Sequence, residues 1–412
     1  MSGLAVAMDL TPLLSFRTGI GLSVAGMWEG LQSMADGPQM SGYALGLRNG
    51  STSEGLPATL RRVRLPARVA VEAWSRFEYP RIDRWLGDVA VVHTTNYVTP
   101  PSRHPTVVTV NDLSFVYDPP GDPVVATFHS MLRRAVDRGA HIHVTTRQVA
   151  AEVEDVLGPG LAESGRISIV AFGIPPAASA QEATTQPTAA QPAAATQAAG
   201  PAQAPGPAQA PGRCLDDLVG ARPYVLFIGT DEPRKNIPAL VEAFGEVSGE
   251  APDLLLVIAG RQTGHTERTE AAISVLAPEV ASKVVRLGPV DEATRSRLLA
   301  DAWVMAYPSR YEGFGFPVLE AMRAGVPVVA ADVAVLREVA GEAALFADPG
   351  DVSSLAAALR SAATDGHRRE KLISSGKARA ACFTWQATAG GLAALYERAA
   401  GSTGPRQGGT PL

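Results

Sequence analysis

The sequence predicts an α/β protein made of two parallel-sheet domains, and three observations carry that reading. Short apolar and β-branched runs alternate with longer stretches of helical spacing in both halves, the pattern of strands joined by crossover helices. A segment of different composition, 177–212, interrupts this alternation near the middle. The 412 residues, 46% hydrophobic and 19% charged, suffice for two ordinary cores and exclude disorder as a general description.

In chain order, the first half offers strands at 4–8, 43–47, 89–93, 106–110, 141–145 and 167–170. The second offers 224–228, 254–259, 284–287, 302–307, 327–331 and 344–347. The expected organisation is a Rossmann-like domain over 1–176, a spacer over 177–212, a second Rossmann-like domain over 213–385, and a closing helix with a flexible tail over 386–412. Open parallel sheets bind ligands outside the carboxyl ends of their strands, so two facing domains should frame a cleft there. The spacer is dominated by Ala, Pro, Gln, Thr and Gly and repeats Gly-Pro-Ala-Gln-Ala-Pro twice from Gly200. Glu182 is its only charge, and it has no Leu, Ile, Val or aromatic residue. Such a composition cannot build a core and favours an extended or disordered connection.

A net charge of -5 argues against a dedicated nucleic-acid binder. Cys214 and Cys382 give neither a disulfide framework nor metal-ligand spacing, which suits a reducing cytoplasm. No leader-like start or long apolar run is visible, so neither export nor a membrane span is expected.

The chemistry is concentrated in Pro308-Ser309-Arg310-Tyr311-Glu312-Gly313-Phe314-Gly315-Phe316-Pro317-Val318-Leu319-Glu320. Gly313 and Gly315, on either side of Phe314, release the backbone to approach a ligand, and Pro317 suits a first helical turn. Unpaired amides and the positive dipole end of that helix suit a diphosphate. Glu312 and Glu320 would repel phosphate but accept well from sugar hydroxyls, which assigns Glu312 to a transferred hexose and Glu320 to a ribose. A general preference for acids near helix starts would explain Glu320 alone, but not Glu312 and the glycines. A second cluster, Phe227-Ile228-Gly229-Thr230-Asp231-Glu232-Pro233-Arg234-Lys235-Asn236, follows a strand and precedes a helix whose Leu240, Val241 and Phe244 keep helical spacing. There Arg234 and Lys235 can converge on an anion, where fixed donors stabilise a developing oxyanion most effectively.

The Glu312–Glu320 stretch resembles the E-x7-E signature of retaining glycosyltransferase family 4, whose two-domain fold is GT-B. The likeness extends from Ala302–Tyr307 through Glu320-Ala321-Met322-Arg323-Ala324-Gly325-Val326-Pro327-Val328-Val329 to Glu338-Val339-Ala340-Gly341-Glu342-Ala343-Ala344. The 227–236 cluster is similar to the family's phosphate-binding loop, although Thr230 stands where many members carry arginine. The resemblance implies transfer of a hexose from a nucleotide diphosphate sugar to a hydroxyl of a glycan or lipid-linked acceptor, with retention of configuration. Mannose from GDP-mannose is the first candidate, from the likeness of Glu-Pro-Arg-Lys-Asn to mannosyltransferases that build surface polysaccharides, and UDP-sugars stay open. Lys235, Arg234 and Glu312 are the catalytic candidates. Gly229, Gly313, Phe314, Gly315, Glu320, Gly260 and Gly288 are expected to bind the donor. The base pocket is expected around Gly260, Arg261 and Gly288–Val290. No cofactor is expected, the nucleotide sugar being a substrate. With no Asp-x-Asp in the chain, transfer should not need a metal.

In the first half, Thr18-Gly19-Ile20-Gly21 resembles the family's first glycine loop, and Gly19 and Gly21 are placed on the acceptor or donor-sugar side with Asn111 and Asp112. Asn111 stands where many relatives have histidine, so hydrogen bonding is open to it and titration near neutral pH is not. Asp112 could serve catalysis or cap the following turn. His141 and His143 share one face of a strand and read as a structural pair. Between Arg61 and Arg84 seven arginines oppose three acids, which fits a solvated face or a surface at the inner face of a membrane. Phe383-Thr384-Trp385-Gln386 with Leu392, Leu395 and Tyr396 resembles the family's closing helix, which packs towards the first domain. Two other functions fit the sequence: a catalytically silent sugar-nucleotide or glycan binder, suggested by Asn111 and Thr230, and a nucleotide-sugar epimerase.

Overall fold

Both sheets are wholly parallel, as expected for strands buried on two faces and joined by helices. The computed structural model describes residues 3–14, 19–46, 57, 60–117, 124–175 and 219–401. The 177–212 spacer, Thr18, Cys214 and the tail beyond residue 401 lie outside the described residues. The chain forms two units; the first runs to Pro175 and resumes at Phe383, and the second ends at Cys382.

In the first unit, β1 (Ala5–Asp9), β2 (Gln39–Leu45), β3 (Arg61–Val63), β4 (Val91–Thr94), β5 (Thr106–Thr109), β6 (His141–Val144) and β7 (Ile167–Ile169) pair in the order β3-β2-β1-β4-β5-β6-β7. β3 was not among the expected strands. Its Arg-Arg-Val run has no apolar alternation, and a short charged strand is what an exposed sheet edge tolerates. Of the remaining basic stretch, Arg68 and Arg76 lie on the helix Ala67–Arg76 and Arg84 on the helix Asp83–Leu86. One core gathers Trp74, Tyr43, Ile82 and Leu86 on the β2–β3 side of the sheet. On the other side, the helix Trp385–Gly401 packs on the helix Gly19–Gln32. A Cβ at Gly26 would lie 2.0 Å from the Trp385 ring, so glycine there makes room for the indole.

A buried polar chain crosses this unit. Tyr396 Oη lies 2.7 Å from His93 Nδ1, His93 Nε2 2.8 Å from Thr109 Oγ1, and Thr109 Oγ1 2.9 Å from His143 Nδ1. His143 Nε2 ends the chain 2.9 Å from the Val170 carbonyl. A carbonyl only accepts, so His143 donates from Nε2. With both imidazoles neutral, its Nδ1 accepts from Thr109, which accepts from His93, which accepts from Tyr396. Burial pushes both imidazoles below their ordinary value, His143 to about 4, which keeps them neutral.

In the second unit, β8 (Tyr224–Ile228), β9 (Leu255–Ala259), β10 (Val284–Gly288), β11 (Val304–Tyr307), β12 (Val328–Ala331) and β13 (Leu345–Ala347) pair in the order β10-β9-β8-β11-β12-β13. Phe227, Phe244, Leu240 and Leu359 fill its core. Strand order reverses between β8 and β11, and the two motif loops leave the carboxyl ends of those two strands. A parallel sheet places its ligand crevice at such a reversal.

Candidate functional site

Three glycines close the ends of neighbouring strands. Gly229 N donates to Ala259 O at 3.0 Å, and Gly260 N donates to Gly288 O at 2.8 Å. Gly260 has φ 144, and a Cβ there would fall 1.9 Å from the Gly229 carbonyl, so no other residue fits against that loop. Beyond Gly229 the chain makes a tight turn at Pro233–Lys235. Asn236 at φ 56 then starts the helix Ile237–Val247, its side-chain amide donating to Pro349 O at 3.0 Å.

This turn delivers both cations to one acid. Lys235 Nζ lies 2.5 Å from Glu312 Oε1 and 3.0 Å from Tyr307 Oη, while Arg234 Nη1 reaches Glu312 Oε2 at 3.5 Å and Tyr311 O at 3.3 Å. Arg234 also pairs with Glu232 at 2.8 Å, and Arg310 N donates to Arg234 O at 2.7 Å, which ties the two loops together. Lys235 and Glu312 are both 7% exposed. Burial alone would raise the Glu312 carboxyl, but Lys235 and Arg234 hold it below its usual value. Tyr307 is pushed well above the ordinary phenol value by burial and by Glu312, so it stays neutral and accepts from the ammonium.

Past Glu312 the loop turns inward. Phe314 is buried edge-on against Phe316, and Gly315 at φ 96 precedes the helix Phe316–Ala324 with Pro317 in its first turn. Glu320 lies on that helix at 3% exposure, and its Oε2 accepts from Arg295 of the helix Glu292–Asp301. The structure thus gathers Arg234, Lys235 and Glu312, puts Gly229, Gly260 and Gly288 at adjoining strand ends, and sets Gly313–Gly315 beside them. Sequence reasoning missed Tyr307 and Arg295. Tyr307 ends β11 with a polar tip, a recognisable signal; Arg295 belongs to a separate helix and gave none.

In the first unit, Gly19 and Gly21 open the helix Gly19–Gln32, so at these two positions the expected loop is a helix start. Asn111 follows β5, and its Nδ2 is buried without a hydrogen-bond partner among the described residues. Of the two roles open to Asp112, the structure shows capping: Oδ1 accepts from Ser114 N at 3.0 Å and Ser114 Oγ at 2.7 Å.

Residues 217–379 match the family model described as Glycosyl transferases group 1. Over 164 residues the chain is 38% identical to O-antigen chain mannosyltransferase B of Escherichia coli, covering 40% of this chain and 42% of that protein. Over 182 residues it is 32% identical to phosphatidyl-myo-inositol mannosyltransferase of Mycobacterium leprae (strain TN), covering 43% and 47%. The chain thus spans under half the length of these curated relatives. Its fold is similar to sucrose-phosphate synthase from Thermosynechococcus elongatus, with a TM-score of 0.69 at 19% identity over 97% of this chain and 100% of that one. WaaG, a glycosyltransferase involved in lipopolysaccharide biosynthesis, gives a TM-score of 0.62 at 17% identity over 98% and 100%. Two parallel-sheet units and these neighbours make the fold GT-B.

Proposed function

We propose that this chain, whose residues 217–379 match the glycosyl transferases group 1 family model, moves a hexose from a nucleotide diphosphate sugar to a hydroxyl of a glycan or lipid-linked acceptor. The observation that carries this reading is the meeting of Arg234, Lys235 and Glu312 at the strand reversal of the second sheet. Two cations held at one crevice can receive the charge that builds on a leaving diphosphate. In the transfer, the bond from the anomeric carbon to the diphosphate oxygen breaks and a bond to the acceptor oxygen forms. The acceptor proton passes to the departing phosphate, on the same face of the sugar, so configuration is retained. Glu312 accepts from the hexose and Glu320 from the ribose, each with lone pairs beyond those its arginine and lysine partners occupy. No divalent cation takes part, since side-chain cations serve the diphosphate.

Mannose from GDP-mannose is the donor this reading favours, supported by the two mannosyltransferase relatives. A panel of GDP-, UDP- and ADP-sugars, scored for binding and slow hydrolysis with and without chelator, tests donor and metal together. GDP-mannose turnover unchanged by chelator is expected. Saturable binding with no nucleotide diphosphate released would replace the enzyme by a binding protein.

The lipid-linked class of acceptor draws support from the first unit's surface. Val69, Phe77 and Tyr79 are 62%, 63% and 68% exposed in the same stretch as exposed Arg64, Arg81 and Arg84. Exposed aromatics beside arginines suit the boundary of an anionic membrane, where each basic residue contributes about 1 kcal/mol. Co-sedimentation with phosphatidylglycerol vesicles should weaken about fivefold per arginine in Arg64→Gln, Arg81→Gln and Arg84→Gln. Equal sedimentation with phosphatidylcholine vesicles would count against the surface.

A further inference from the structure

Glu320 sits at 3% exposure, too buried for a carboxylate to stand without a counter-charge. Among the described residues its side chain pairs with Arg295, whose Nη2 donates to Oε2. Arg295 reaches it from outside both motif loops. β10 ends at Gly288 with φ 69, and Asp291 caps the next helix by accepting from Thr294 N at 2.7 Å. Arg295 N then donates to Asp291 O at 2.9 Å, so the guanidinium springs from the first turn of a helix anchored where the nucleotide base is expected. A second guanidinium, Arg323, stands one turn beyond Glu320 on its own helix, with Nη1 buried and unpartnered among the described residues. Removing Arg295 therefore leaves Glu320 with a positive neighbour.

We infer that Arg295 is a positioning residue for the ribose of the donor: it holds Glu320 through one oxygen, leaving the other lone pairs to accept from the vicinal 2′- and 3′-hydroxyls. The inference rests on the reading of Glu320 as the ribose acceptor. A glutamate side chain loses rotamer freedom when it is fixed. Arg295 exacts that loss in the folded protein before any nucleotide arrives, so a ribonucleotide need not supply it.

The test is calorimetric binding of GDP and 2′-deoxy-GDP, with UDP and 2′-deoxy-UDP as a second pair. Comparison of Arg295→Met, Arg295→Lys and Glu320→Gln with the parent chain, all checked by thermal melting, separates the possibilities. In Arg295→Met, affinity for the ribonucleotide is expected to fall about tenfold while that for the deoxynucleotide changes little, and Arg295→Lys should recover part of the loss. An equal fall for ribo and deoxy forms would make Arg295 merely structural and overturn the inference. Tighter ribonucleotide binding would make it a competitor for Glu320 and overturn it too. The Glu320 reading has its own control. Glu320→Gln should bring the ribo-to-deoxy ratio towards one, and a ratio that Glu320→Gln leaves intact would sink that reading whatever Arg295→Met shows.

Discussion

At the residue scale, the site turns on one buried acid shared by two cations. Lys235→Ala removes the nearer partner, leaving Glu312 with Arg234 at 3.5 Å. Turnover is expected to fall about 100-fold or more in initial-rate assays, because the diphosphate loses a fixed donor. The same variant should also unfold more easily in urea, by less than the roughly 3–5 kcal/mol of an uncompensated buried charge, because Arg234 still faces Glu312. Unchanged turnover would remove Lys235 from the mechanism. Arg234, Lys235 and Glu312 were legible in the sequence because strand, glycine and helix start follow one another locally. Tyr307 was legible as a polar strand end but not as a partner of Lys235, and Arg295 was not legible at all, since what makes each matter is a partner that only tertiary folding supplies. Asp112 shows the reverse limit: its type allowed catalysis, and its neighbour Ser114 uses it as a cap.

At the element scale, alternation of apolar runs located nearly every strand, because a parallel strand buried on both faces needs such a run. β3 escaped for the same reason: at the sheet edge it has two half-buried arginines and a single apolar residue, Val63. The helix Trp385–Gly401 illustrates what sequence spacing leaves out: its fit depends on glycines elsewhere. Gly26→Ala would gain up to about 1 kcal/mol of helix propensity but drive a methyl into the Trp385 ring. Overpacking of this kind costs about 1–3 kcal/mol, so net destabilisation is expected. Gly390→Ala, within the helix Trp385–Gly401 and with nothing within 4 Å of the added carbon, should instead stabilise by about 0.5–1 kcal/mol. Urea titrations of the two variants decide; shifts of the same sign would show that the indole does not constrain Gly26.

At the scale of the whole molecule, the presence of two α/β units was legible because strand and helix patterns alternate in both halves, whereas the polar chain through the first unit was not. His93 and His143 lie 50 residues apart, and their linkage through Thr109 exists only once β4, β5 and β6 pair. It gives this unit a pH dependence whose sign can be derived. His143 binds its proton at about 4 folded and near 6.5 unfolded, so the unfolded chain carries more protons in between. Its contribution, about 3 kcal/mol, is present above pH 6.5 and lost as pH falls through 4. His93 acts in the same direction. Asp9 opposes them: burial pushes its carboxyl to about 6 despite two hydrogen bonds from Thr11 that favour the anion. Its folded form keeps the proton more readily, so its contribution is present below 3.8 and lost as pH rises through 6. Acidification from pH 7 to 4 should therefore loosen the unit by less than the histidines alone would dictate. Asp9→Asn, which removes the opposing group, should steepen the decline, and His93→Gln should flatten it. Four of the five tryptophans, Trp28, Trp74, Trp85 and Trp385, belong to the first unit, so tryptophan fluorescence in urea series at pH 7, 5.5 and 4 reads this unit. A steeper acid limb in His93→Gln than in the parent would show that the buried imidazoles are not what acid attacks.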